Sequence, residues 1–279
     1  MRIDLHFHSD ASDGTRSPET LKDIIVSRNV KIVSLTDHDS IKNTEKLKNL
    51  LQDTDAFLIP GIELSTQFHK HNTHILGYFR DKSYRSPEFT KVLESFRIRR
   101  IQRAEEMVLR LKKYFGLEID LEKLDLRPGV SLGRPHMAQL IKEKYGFPIN
   151  EIFKKYLGNN SPAYIPSSNM TTEEGIDFLI SNGAVPVLAH PGEYTESISD
   201  LLTLNFMGIE CYYPTHSEKL TRELTGEAVK RNLFITCGTD DHGIPGDHKH
   251  GILGSQKYDP KLVAPFLEYM GAGYLLEEE

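Results

Sequence analysis

The chain has 279 residues, 38% hydrophobic and 27% charged, a balance that excludes disorder and allows one α/β domain with a full core, alone or carrying an insertion. Its net charge of -6 argues against a long DNA duplex held by a general basic field, and no run approaches the ~18 apolar residues of a membrane span. Cys211 and Cys237 each lie in an apolar run, so neither a disulfide framework nor a cysteine zinc site is expected; the opening residues lead straight into a histidine cluster, which predicts a cytoplasmic chain without a signal peptide.

In chain order, buried strands are expected at residues 2–5, 31–35, 57–63, 73–79, 184–189, 207–213 and 233–237. Ser17-Pro18-Glu19 after the first is a helix start, with an N-cap hydroxyl, proline in the first turn and an acid at the positive end of the dipole. Thr171 and Glu174 have capping-box spacing, and Asn182-Gly183 would end that helix before the next strand. Such alternation implies a parallel sheet, and seven strands over this length suit a distorted (β/α) barrel.

Between Phe79 and Ala184 the alternation stops, and helical patterns appear at 87–115, 134–145, 150–157 and 171–182. The division expected is therefore barrel over 1–81, helical insertion over 82–170 and barrel again over 171–279. In the first inserted helix, Phe96, Ile101, Ala104, Val108 and Leu111 form an apolar stripe, while Arg97, Arg99, Arg100, Arg103, Arg110, Lys112 and Lys113 crowd the other faces and read as solvated.

Side chains suited to metal ions recur at strand carboxyl ends. His6 and His8 follow the first strand, Asp37 and His38 the second, Glu63 ends the third, His190 follows the fifth, and Asp240 and His242 follow the seventh. In a parallel barrel those ends share one mouth. His74 breaks the rule, standing at the start of its strand. Histidine with carboxylate and no cysteine suits Mn, Fe or Zn. Gly14 permits a tight turn that would return Asp13 over His6 and His8. Gly133-Arg134-Pro135-His136 places two phosphate-seeking side chains at a helix start, where anions are favoured. Arg134, His136 and His216 are the substrate-binding candidates, His216 also a catalytic one.

His6-Phe7-His8, Thr36-Asp37-His38-Asp39, Gly61-Ile62-Glu63, His74, Ala189-His190-Pro191 and Gly238-Thr239-Asp240-Asp241-His242 resemble, in order, the motifs of the PHP (polymerase and histidinol phosphatase) family. The resemblance implies a distorted seven-stranded barrel with two or three divalent ions, hydrolysing phosphoesters by a metal-bridging hydroxide. Carried over by motif, His6, His8, Glu63 and Asp240 would hold one ion, Asp13, His38 and bridging Glu63 a second, and His74, His190 and His242 a third. Glu63 and Asp240 would act in catalysis through the metals. Asp37 and Asp39 are kept from the ligand set, since an acid beside a metal histidine commonly orients an imidazole. Asp13, where many members carry histidine, is a harder ligand and favours Mn or Fe. Gly133-Arg134-Pro135-His136 and Pro162-Ala163-Tyr164 further resemble the branch of nucleoside 3',5'-bisphosphate phosphatases and 5'-to-3' exoribonucleases. The substrate implied is a phosphorylated nucleotide, foremost the 3'-phosphate of a nucleoside 3',5'-bisphosphate, or a short 5'-phosphorylated RNA. Histidinol phosphatase and a non-catalytic metal-stabilised binding domain are the other readings. His69, His71, His248 and His250 carry no role at this point.

Overall fold

The computed structural model describes residues 1–69, 71–166, 170–194, 198–247 and 249–276; His248 lies outside them. Strand β1 (Arg2–Phe7), helix α1 (Pro18–Ser27), β2 (Val30–Leu35), α2 (Thr44–Leu50) and β3 (Phe57–Leu58) alternate, and the three strands pair in parallel in the order β1-β2-β3. The Ser17 hydroxyl accepts from the Thr20 N–H and so starts α1 where its sequence marks it.

The strand expected at 57–63 is two strands in two sheets. Pro60, which has no N–H for a ladder, separates β3 from β4 (Gly61–Phe68). β5 (His71–Phe79) folds back antiparallel on β4, pairing Glu63 with Leu76 and Ser65 with His74. The second sheet continues through β6 (Ala184–Leu188), β7 (Gly208–Tyr212) and β8 (Phe234–Cys237). β5 is antiparallel to β6 as well, and only β6, β7 and β8 run parallel. The observed sheets are therefore three parallel strands and five mixed ones, in place of seven parallel strands. This corrects the expected direction of β5 and explains His74. Because β5 runs backwards, its beginning lies beside the carboxyl end of β6, where the Ala189 N–H donates to the His74 carbonyl.

The two sheets meet at the same end. The Asp240 N–H donates to His6 O and the His8 N–H to Asp241 O, joining β1 to the end of β8; the Asp39 N–H donates to Glu63 O and the Glu63 N–H to Asp37 O, joining β2 to β4. Ile3, Leu5, Ile32, Ile62, Leu64, Leu76, Val187 and Ile209 fill the core beneath.

Helix α3 (Pro87–Phe115) begins at Ser86, whose hydroxyl caps the Phe89 N–H, and ends at Gly116 with φ 67. It is followed by α4 (Arg134–Tyr145) and α5 (Ile149–Ile152), the latter running on as a wider π turn over Phe153–Leu157. The buried stripe of α3 serves two cores. Phe89, Leu93 and Phe96 join the main core, whereas Ala104, Met107 and Leu111 join a separate cluster with Met137, Ile141, Ile152 and Leu157. Arg100 sits on the stripe between them, 8% exposed. Its guanidinium donates to Asp39 Oδ2 from Nε (2.8 Å) and Nη2 (2.6 Å), to Ser65 Oγ and to Leu132 O. The expectation of a solvated basic face holds for Arg99, Lys112 and Lys113, which are exposed, and is corrected for Arg100. Arg97 also bonds Leu126 O, Arg103 bonds Ile165 O and Arg110 bonds Tyr164 O, so these cations tie segments together.

After α6 (Thr172–Ser181), capped by Thr171 and Glu174, α7 (Ile198–Leu201), α8 (Glu218–Lys230) and α9 (Pro260–Tyr269) alternate with the last strands. Among the described residues no helix is long and apolar enough to cross a membrane.

Candidate metal centre and substrate cleft

Where strand ends converge, one carboxylate organises the site. Glu63 Oε2 lies 3.3 Å from His6 Nε2, 3.2 Å from His8 Nε2 and 3.0 Å from His38 Nδ1. Its Oε1 lies 2.8 Å from His74 Nδ1 and 3.0 Å from His190 Nε2. Asp240 Oδ1 stands 3.3 Å from His6 Nε2 and 2.9 Å from His8 Nε2. Asp13 Oδ1 faces His242 Nε2 at 3.3 Å and His38 Nε2 at 3.8 Å. All nine metal-ligand candidates thus meet at one mouth. Their grouping differs from the expected one in two respects: His74 and His190 gather on Glu63 Oε1 while His242 turns to Asp13, and His38 shows Nε2 to Asp13 but Nδ1 to Glu63, so those two carboxylates meet opposite nitrogens of its ring instead of sharing one. His242 is held there because its Nδ1–H donates to Asp240 O (2.7 Å), leaving Nε2 to face Asp13.

Backbone geometry builds this convergence. A Cβ on Gly14 would fall 2.7 Å from the His8 carbonyl carbon, so only glycine lets the Asp13 turn lie against His8. A Cβ on Gly238 would strike His6 Cβ at 2.2 Å and Glu210 Oε1 at 2.7 Å, so glycine also lets β8 close on β1. His190 and Asp240 adopt left-handed φ values of 28 and 54, strain held in place by the His190 N–H on Glu210 Oε2 (2.7 Å) and the Asp240 N–H on His6 O (2.7 Å).

Four buried atoms in the cluster, His6 Nε2, Asp13 Oδ1, His38 Nδ1 and Glu63 Oε2, have no hydrogen-bond partner. Donor atoms so close, aimed inward and unsatisfied, fit divalent cations shared among imidazoles and carboxylates. Charge says the same. Burial pushes the Glu63 carboxyl up, but His38, His74, His6 and a hydrogen bond from His190 outweigh it and hold the group well below the usual carboxylate range. Burial pushes His8 down, yet Asp240 and Glu63 overcome it and hold the imidazole at about 10. Three buried carboxylates thus draw positive charge onto the site. Divalent ions held by these residues would supply Lewis acidity toward phosphoryl oxygens and would lower the pKa of water.

Several partners that orient these candidate ligands escape a motif reading. The His6 Nδ1–H donates to Glu210 Oε1 (2.9 Å), which turns Nε2 toward the site. Glu210 is fully buried on β7, and an acid within an otherwise apolar strand was the available signal. The Tyr194 hydroxyl accepts from the His74 N–H and pairs with His190 Nδ1, each at 3.1 Å. Tyr213 O–H donates to Asp240 Oδ2 (2.9 Å). The two withheld acids divide. Asp37 accepts from Ser9 and Ser12 hydroxyls, and Ser12 Oγ lies 3.3 Å from His8 Nδ1, so it orients an imidazole through a serine. Asp39 instead pairs with Arg100 and accepts from the Ser65 N–H.

A cleft of about 520 Å³ opens beside His74, lined also by Asn72, Arg134, Asn159, Glu193, Tyr194 and Lys249. Arg134 Nη1 donates to Leu157 O (3.1 Å) and Asn159 Oδ1 (2.9 Å), and its guanidinium lies 5.1 Å from the centre of the Tyr164 ring. The other substrate candidates are placed differently. His136 Nδ1 accepts from the Gly133 N–H (3.0 Å), closing the first turn of α4. Both His216 nitrogens serve the backbone, Nδ1–H donating to Cys211 O (3.0 Å) and Nε2 accepting from the Gly192 N–H (3.1 Å), which corrects its expected place facing substrate.

No protein-family model matches the sequence. The chain is 31% identical over 250 residues to the 5'-3' exoribonuclease Rnm of Escherichia coli, across 86% of this chain and 84% of that protein. It is 28% identical over 268 residues to the 3',5'-nucleoside bisphosphate phosphatase of Chromobacterium violaceum, across 92% and 93%. A solved amidohydrolase structure from Chromobacterium violaceum, with bound sulfate and no metal, superposes with a TM-score of 0.83 at 25% identity over 98% of this chain and 97% of that one. The chain belongs to the PHP family of metal-dependent phosphoesterases.

Proposed function

We propose that the protein removes the 3'-phosphate from a nucleoside 3',5'-bisphosphate, using two or three divalent ions held by His6, His8, Asp13, His38, Glu63, His74, His190, Asp240 and His242. The observation that carries the reading is that the cleft beginning at His74 continues to Arg134, a half-buried guanidinium whose hydrogen bonds go to neutral oxygens. A phosphoester at the cluster would leave a second phosphate to meet that cation, and arginine suits phosphate by its forked geometry. The phosphatase relative supports this substrate. The exoribonuclease relative supports a short 5'-phosphorylated RNA as the second reading. Against a longer strand, Arg97, Arg100, Arg103 and Arg110 are engaged within the protein. Asp13 among the ligands favours Mn or Fe over Zn at its position.

The test is kcat/KM of the metal-loaded protein on nucleoside 3',5'-bisphosphates, 5'-phosphorylated short RNAs and histidinol phosphate. The bisphosphate should be preferred, with inorganic phosphate and the 5'-monophosphate as products. Preference for RNA or histidinol phosphate, or equal feeble rates throughout, would reject the assignment.

A further inference from the structure

We propose that Lys249 grips the phosphoryl group being cleaved, as a second cation of the cleft with a task separate from that of Arg134. The inference rests on the phosphoesterase reading above and concerns a residue for which the sequence motifs give no role.

Lys249 is placed by a built turn. Asp247 Oδ1 accepts from the Lys249 N–H (2.8 Å) and the His250 N–H (3.3 Å), and Asp247 Oδ2 takes the His250 ring at Nδ1 (2.6 Å). His250 in turn stacks on His242 with ring centres 4.5 Å apart and brings Nε2 to 3.5 Å from Asp240 Oδ2. The turn is thereby pinned to the rim of the cluster. From it the Lys249 side chain reaches Glu193 in the turn after β6, Nζ to Oε1 2.6 Å, while Glu193 Oε2 lies 3.6 Å from His190 Nδ1.

Both cations line the cleft, Lys249 paired with Glu193 beside His190 and Arg134 bonded to Leu157 O and Asn159 Oδ1. Lys249 feels Glu193, Asp240 and Glu63, which together outweigh burial and raise its pKa, so the ammonium stands in the field of the cluster. The groups acting on Arg134 are Tyr164 and Arg100, both on the helical side. Lys249 is 56% exposed and Glu193 32%, so the pair joining them is solvent-screened and a phosphoryl oxygen can compete for the ammonium. A flexible stem ending in a point charge suits a group that changes shape during reaction.

The experiment compares Lys249→Ala, Lys249→Arg and Glu193→Gln in the metal-loaded full chain. It measures kcat/KM on a nucleoside 3',5'-bisphosphate and on a simple aryl phosphate, inhibition by inorganic phosphate, metal content and Tm. Lys249→Ala should lower kcat/KM about 10- to 100-fold on both substrates alike and weaken inhibition by inorganic phosphate, with metal content and Tm unchanged. Lys249→Arg should recover much of the loss, and Glu193→Gln should tighten phosphate inhibition by removing the competing carboxylate. A loss confined to the bisphosphate, unaltered phosphate inhibition, or equal losses with lowered Tm in Lys249→Ala and Glu193→Gln would overturn the assignment. Wild-type protein inactive on every phosphoester would instead overturn the phosphoesterase reading, before any variant is made.

Discussion

The two walls of the site are built to different standards. On the cluster wall the imidazoles are fixed from behind: His6 by Glu210, His8 by Ser12, His190 by Tyr194 and His242 by the Asp240 carbonyl. On the cleft wall, Arg134 rests on one carbonyl and one amide oxygen, and Lys249 on one half-exposed carboxylate. Rigid placement suits donors that must share ions at fixed distances. Looser placement suits side chains that meet a substrate only when it arrives, and specificity can change there without disturbing the cluster.

The sharpest way to break this contrast is Glu63→Gln. Its two oxygens face separate sets of imidazoles, and an amide keeps the shape while losing the charge. The loss should exceed the roughly 10- to 100-fold typical of an outer-shell partner. Metal content should fall with activity while the far-ultraviolet circular dichroism is retained; unaltered content and rate would remove the bridging role.

That centre was legible because PHP motifs put histidines and acids at strand ends, a signal independent of their distances. What escaped was relational. No local pattern shows that β5 runs backwards, so His74 stood out as misplaced until β6 was seen beside it. Glu210 hides in an apolar strand, and its role exists only because Gly238 lets β8 approach His6. Arg100 reads with its neighbouring cations as solvated, although it lies four residues from both Phe96 and Ala104 on the apolar stripe; its burial follows from that spacing and from where α3 passes between two cores.

Arg100→Met tests the join between the helical segment and the sheets. It withdraws the guanidinium from a buried carboxylate, and breaking one partner of such a pair costs about 3 to 5 kcal/mol. Denaturant midpoint should drop accordingly. Asp39→Asn combined with Arg100→Met should recover part of the loss, and additive losses in the double variant would show that the pair is not what holds α3.

Arg134→Ala acts on the cleft wall alone. If Arg134 holds the phosphate remote from the bond broken, kcat/KM on a nucleoside 3',5'-bisphosphate should fall by ~1.5 to 3 kcal/mol, the range for a hydrogen bond to a charged group, with little change on an aryl phosphate. Metal content should stay constant. Equal loss on both substrates would reject the remote-phosphate role.

His136, two residues along, should show the smallest effect and of another kind. Its Nδ1 accepts the Gly133 N–H, so His136→Ala removes a cap from α4 and should cost about 0.5 to 2 kcal/mol of stability. The helix start is close to the cluster, since a Cβ built on Gly133 would lie 3.7 Å from Asp13 Oδ2, so a frayed cap would also loosen the ground on which Arg134 stands. Cap loss predicts a lowered Tm with a modest rate change shared by bisphosphate and aryl phosphate, and substantial recovery in His136→Gln, whose side-chain oxygen can accept the same N–H. A phosphate contact predicts the reverse: unchanged Tm, a loss on the bisphosphate alone and no rescue by an uncharged amide. Because the ring's Nδ1 is already engaged by backbone, the first pattern is expected, and the second would move His136 from the scaffold to the substrate wall beside Arg134.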